Sequence, residues 1–254
     1  MIAEITYKNR KITIDLNKPV DLSIPLRDGA KNPLVWYQNP PKMTPVRQDE
    51  DTYLVEQGAA VNFRDIYFNP HAHGTHTECY GHIAEEIYSV NKALNTSFFM
   101  AKVVSLVPET HGDDLVFSKK QLVRNLRPGE TQALIVRTLP NTSKKKTRDY
   151  NHTNWPYFLE EAARYLRESG ISHLLVDLPS VDKEHDDGHL LAHKAFWNYP
   201  NTPRRSATIT ELIYVPNKVK DGFYMLNLQI APFENDATPS KPIIFELDKV
   251  IVQS

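Results

Sequence analysis

Cysteine is almost absent from this 254-residue chain. Cys79 stands alone, so no intrachain disulfide can form, and a reducing compartment fits. Glycine is scarce as well, 9 residues against 18 prolines, which predicts long connections stiffened by proline rather than flexible linkers. Neither sign of charge prevails: 30 Lys and Arg face 31 Asp and Glu, for a net charge of −1. That balance removes the electrostatic case for nucleic acid or an anionic membrane as partner. No apolar run approaches the length of a membrane span. Residues Met1 to Leu16 alternate charged and apolar positions and lack the continuous apolar centre of a signal peptide, so the expected location is the cytoplasm.

What is present is ordinary in bulk. Hydrophobic residues make up 41% and charged residues 24%, as in a globular protein with one sizeable core. No internal repeat or compositional break divides the chain, and one domain over 1–254 is expected, with an N-terminal β-hairpin at about 1–17. The hairpin reads from Ile2–Tyr7 and Lys11–Leu16, joined around Asn9-Arg10. Buried strands are predicted at Lys102–Val107, Ala133–Thr138 and Ile171–Leu178, and further strands at Tyr224–Ile230 and Ile243–Val252. Ser118-Lys119-Lys120-Gln121 has capping-box form and starts a helix that stops before Pro128-Gly129. A second helix is predicted from Trp155-Pro156, with Phe158, Leu159, Ala162, Tyr165 and Leu166 on one face and Gly170 at its end. The sum is a mixed α/β domain rich in strand. The basic cluster Lys144–Lys146 with Arg148, set among polar residues, reads as a solvated loop.

Histidine is where the sequence concentrates. The twelve residues from His71 to His82 hold four of the ten histidines, together with Glu78. Imidazoles and a carboxylate crowded in this way suit a divalent metal such as zinc or manganese, and a core or a turn has no use for them. If the stretch runs as a strand, His71 and His73 share one face and His76 and Glu78 the other, and a kink at Gly74 brings both pairs to one centre. His82, four residues beyond Glu78, is a candidate ligand or general base. Cys79 reads as a small buried hydrophobe. His111, His152 and His173 read as ordinary surface or hydrogen-bonded residues.

A cluster of this kind supplies one side of a site. The only other dense group of histidines and acids is Pro179–His193, directly after the strand Ile171–Leu178, and spacing alone does not choose among His185, His189 and His193. Glu211 lies in an otherwise apolar or β-branched run, Ala207–Ile213, where a carboxylate is costly without a partner such as a metal or a salt bridge.

Taken in order, these residues resemble the cyclase family of metal-dependent hydrolases, which includes bacterial kynurenine formamidase and isatin hydrolase. Asp21-Leu22-Ser23 looks like the family's N-terminal element, and Gly74-Thr75-His76-x-Glu78-x-x-x-His82 like its signature, H-x-G-T-H-x-D-x-P-x-H. Pro179-Ser180-Val181-Asp182, Ala192–Phe196, Ile209–Leu212 and Asn227–Ile243 are similar to its later segments. The resemblance implies a β/β/α barrel-like (swivelling) architecture, usually in dimers or tetramers, with one or two zinc or manganese ions. It also implies His76, Glu78, His193 and Glu211 as ligands and His82 as the acid–base residue. Three positions depart from the pattern. The signature's first histidine falls on Ala72, leaving His71 or His73 to replace it; its Asp is Glu78; its Pro is Tyr80.

The function expected is metal-dependent hydrolysis of an amide, formamide or lactam bond in a small molecule. The alternatives are a non-catalytic metal- or ligand-binding member of the family and a metal-dependent cyclase or lyase. Trp36 and Tyr80, with Tyr37 and Trp197, are candidates for the substrate walls. Arg204 and Arg205 are candidate contacts for an anionic substrate or members of a solvated loop.

Overall fold

The computed structural model describes residues 1–252, with side chains through Asp248. Seven strands close into a barrel. In chain order they are β3 (His76–Cys79), β4 (Phe98–Leu106), β5 (Ala133–Thr138), β6 (His173–Val176), β7 (Thr208–Glu211), β8 (Gly222–Ile230) and β9 (Ala237–Val252). The hairpin β1 (Ile2–Tyr7) and β2 (Arg10–Asp15) precedes them, and Tyr7 pairs with Arg10 across a Lys8-Asn9 turn. That turn falls one residue earlier than expected, because Lys8 takes the left-handed conformation (φ 55°).

Around the barrel the order is β9-β8-β4-β5-β6-β7-β3, closing again on β9. Strands β4 to β7 run parallel, and the remaining pairs are antiparallel. Parallel neighbours need crossovers. Three helices stand on them: α1 (Lys119–Asn125), α2 (Glu160–Glu168) and α3 (Leu191–Trp197). The long β9 completes the closure. Its start pairs with β3, its middle with β8, and from Leu247 onward it leaves the barrel to pair with β2, with an irregularity between Leu247 and Lys249.

Side-chain alternation sorts the core into two shells. Ala101, Val103, Ile135, Leu175, Leu226 and Ile244 fill the barrel. Val104, Leu134, Val136, Leu174, Val176 and Ile209 point the other way and meet Leu122, Leu126, Ala162, Leu166, Ala195 and Phe196 of the helices. Gln121 accepts from the Ser118 N–H at 3.2 Å, closing the start of α1 as its capping pattern predicts.

The second helix begins later than expected. Trp155 is buried and donates its indole N–H to the Asp182 carbonyl, and Tyr157–Phe158 forms a short parallel pairing with Val116–Phe117. The Phe158 N–H is bonded to the Val181 carbonyl, so helix can begin only at Glu160. Among the described residues no helix is long and apolar enough to cross a membrane.

Candidate metal centre

The histidine segment is half helical turn and half strand. Pro70–His73 forms one turn capped by the Asn69 side chain, and the chain then straightens through Gly74 into β3. The simple alternation expected of a continuous strand therefore does not apply. Gly74 is extended (φ 175°, ψ −173°), not kinked into a glycine-only conformation. Its small size matters for a different reason: a Cβ there would lie 3.2 Å from the Ile24 carbonyl oxygen.

Register carries the rest. On β3, Thr77 points inward and hydrogen-bonds Thr210 of β7 at 2.8 Å, so His76 and Glu78 face outward. His76 lies directly across from Glu211, and Glu78 across from Ile209. From above, α3 lowers His193 onto the same spot. Its Nε2 is 3.1 Å from Glu78 Oε1 and 3.9 Å from Glu211 Oε1. His71, from the preceding turn, brings Nδ1 to 3.2 Å from Glu78 Oε2. His76 Nε2 is 3.4 Å from Glu211 Oε2. His82 stands at the solvent edge with Nε2 3.8 Å from Glu78 Oε2, and its ring stacks on His71 at 4.2 Å.

The hydrogen-bond partners define tautomers. The Gly74 carbonyl can only accept, so His76 Nδ1 (3.0 Å away) carries the proton and Nε2 offers a lone pair. Asp182 takes the Nδ1–H of His193 at 2.6 Å and also accepts from the backbone N–H groups of Ala192 and His193. Asp236 was not foreseen from the sequence. Its Oδ2 lies 2.9 Å from His71 Nε2 and 3.2 Å from His82 Nδ1. One carboxylate thus leaves His71 Nδ1 free towards the centre and His82 Nε2 free towards the cavity. No local pattern marks Asp236, which ends a loop just before β9.

Charge follows the same geometry. Burial opposes ionisation of Glu78, but His82, His193 and His71 outweigh it and hold the carboxyl well below its usual range. Burial, with the neighbouring Glu78, pushes Glu211 upward against the pull of His76 and His193. His71 resists charging through burial, yet Asp236 and Glu78 lift it to about 10. His193 is raised in the same way by Asp182 and Glu78.

These residues fit a divalent metal ion. His76 Nε2 is buried with no hydrogen-bond partner among the described residues, a costly arrangement unless something else satisfies it. His193 Nε2 and His71 Nδ1 approach the Glu78 carboxylate at 3.1 and 3.2 Å and His76 Nε2 approaches Glu211 at 3.4 Å, so imidazole nitrogens and carboxylate oxygens, the ligand types such an ion takes, gather at one place. The centre opens on a cavity of about 350 Å³ lined by Trp36, Gln38, Asn69, Ser180, Lys183 and Leu190. Trp36 and Tyr37 both hold left-handed backbone there (φ 57° and 56°), strained for bulky residues. The Tyr37 N–H bond to Asn151 Oδ1 and the Tyr37 hydroxyl bond to Glu184 hold that conformation in place.

Several of the expected site residues lie elsewhere. His73 turns to the opposite side of its helical turn, accepting from the Asn69 N–H at 2.9 Å and lining a different cavity with Ile24 and Pro239. Successive helical positions point about 100° apart, so only one of His71 and His73 can reach the centre. Tyr80 is buried in the outer core, its hydroxyl bonded to Glu86 and its ring under Arg205, rather than lining the cavity. Trp197 likewise packs in the core and donates to the Ala207 carbonyl. Arg205 pairs with Glu86, and Arg204 donates to the carbonyls of Phe196 and Ile171. Cys79 is buried, and burial pushes its thiol up to about 12.

Fold and site together define a strand-rich α/β barrel protein with a histidine–carboxylate centre on its outer face. The sequence profile of the family described as "Putative cyclase" matches residues 20–183, and the chain belongs to that family. Solved structures share the fold. A potential metal-dependent hydrolase with cyclase activity is 21% identical, with 91% of this chain and 99% of that one covered at a TM-score of 0.64. Isatin hydrolase A from Labrenzia aggregata, bound to benzyl benzoate, is 14% identical over 91% of this chain and 94% of that one, at a TM-score of 0.66. An isatin hydrolase bound to the product analogue thioisatinate is 13% identical over 91% and 93%, at 0.63. No curated protein matches the chain at significant similarity.

Proposed function

We propose that this protein is a metal-dependent hydrolase that opens an amide, formamide or lactam C–N bond in a small molecule. The observation that carries the reading is the convergence of His71, His76, Glu78, His193 and Glu211 beside a cavity of about 350 Å³ that His71 and His193 help to line. His71 takes the place of the histidine missing at Ala72. When bound, zinc or manganese supplies Lewis acidity, polarising a carbonyl and acidifying a water. His82 then accepts the water's proton at Nε2 and delivers it to the leaving nitrogen, while Asp236 holds the Nδ1–H. Asp182 keeps the His193 ring oriented. Trp36 forms an apolar wall, and its edge contact with Trp155 (5.1 Å between ring centres) holds the ring in place. The family's usual homo-oligomeric state is our expectation for this chain too.

The test is a panel of small formamides, lactams and lactones, assayed after reconstitution with zinc or manganese. Turnover that needs the metal and falls about 10²-fold or more in His82→Ala supports the assignment. Metal-dependent turnover unaffected by His82→Ala removes His82 from the chemistry. Stoichiometric metal without turnover across the panel favours the non-catalytic alternative.

A further inference from the structure

A second cavity, of about 740 Å³, lies at the carboxyl ends of β5 and β6 and takes no part in the chemistry above. The ends of parallel strands are where α/β proteins commonly hold ligands. Leu139, Pro140, Tyr150, Trp155 and Leu178 form apolar walls, and Lys144 and Arg148 stand at the rim. The basic cluster is therefore only partly the solvated loop that its composition indicates. Lys145 turns inward, with its ammonium committed to the Thr138 carbonyl (2.5 Å), Asn141 Oδ1 (3.3 Å) and Asp177 Oδ2 (2.7 Å). Asp177 neutralises Lys145, leaving Lys144 and Arg148 without an ion-pair partner among the described residues, with the Arg148 guanidinium 5.0 Å from the centre of the Tyr150 ring.

We propose that this cavity is a ligand site, separate from the histidine–carboxylate centre, that takes a small organic anion with an apolar body. The apolar walls take the body of the ligand, and Lys144 and Arg148 meet the anionic head. The site is also placed to act as an effector site. Trp155 forms one of its walls and donates its indole N–H to the Asp182 carbonyl at 2.9 Å, and the Asp182 side chain orients His193.

The probe is 2-naphthoate, titrated calorimetrically into the full-length protein beside its uncharged analogue 2-naphthamide. Naphthoate is expected to bind, with naphthamide weaker by about tenfold or more, and the double variant Lys144→Glu/Arg148→Glu is expected to lose a similar factor. His76→Ala, which alters the other cavity, is expected to keep naphthoate binding. Equal affinity for acid and amide, indifference to the charge reversal, or loss of binding in His76→Ala would each overturn the site. Saturating naphthoate is expected to move the Mn²⁺ binding midpoint by about fivefold or more, and an unmoved midpoint overturns the effector role.

Discussion

At the scale of single residues, Asp236 contacts His71 and His82 and Asp182 contacts His193, histidines proposed above for the metal chemistry, so their removal acts through ring orientation. Asp182→Asn is expected to weaken Zn²⁺ or Mn²⁺ affinity about 10–100-fold, read by competition with a chromogenic chelator, with the fold intact by circular dichroism. Wild-type affinity in that variant would mean that the backbone N–H bonds to residue 182, not its charge, position α3. His173 makes a different prediction. It sits inside the barrel, 2.9 Å from Thr208 Oγ1, and burial with Arg204 nearby lowers its pKa to about 4. Unfolded, it titrates near 6.5. Between those values the unfolded chain binds one more proton, so this contribution is full above pH 6.5 and lost as the pH falls towards 4. The loss approaches about 3 kcal/mol. Urea denaturation at pH 7.5 and 4.5 should show a smaller decline in His173→Gln than in the wild type. Parallel declines would mean that other groups control acid stability.

At the scale of elements, the turn after β3 is tightly constrained. A Cβ on Gly81 would meet the Tyr88 carbonyl oxygen at 2.3 Å, a backbone atom that cannot step aside. Gly81→Ala is expected to cost about 1–3 kcal/mol in chemical denaturation and to disturb His82 beside it. An unchanged denaturation midpoint would show that the Tyr80–Ser89 loop yields freely. Elements with periodic apolar patterns were legible from the chain: β5 has its predicted bounds, and α1 starts at its capping box. The start of α2 was not, because Trp155 and Phe158 suit a helix face in sequence while their contacts with the 181–182 segment hold them extended. The helical turn at Pro70–His73 was equally hidden. Four residues are too few for a periodicity to register.

At the scale of the whole molecule, the centre joins β3, β7, α3 and the loop before β9, segments separated by up to 165 residues in the chain. A bound metal therefore ties the barrel's closure to its helical layer. With free Zn²⁺ at about 100 times its dissociation constant, linkage contributes about 2.7 kcal/mol. Chelation should thus lower the melting temperature by about 5–10 °C. His76→Ala should show no such chelator effect, and a chelator-insensitive wild type would remove the metal from the account of stability. The sequence by itself determined the strand-rich α/β class, the family, and the residue types gathered for the centre, because hydrophobic alternation and clustered histidines are local signals. Only the tertiary structure decided between His71 and His73, sent Tyr80 into the core, and recruited Asp236. Those outcomes depend on which way a side chain points when distant strands come into register, and no local run of residues encodes that direction.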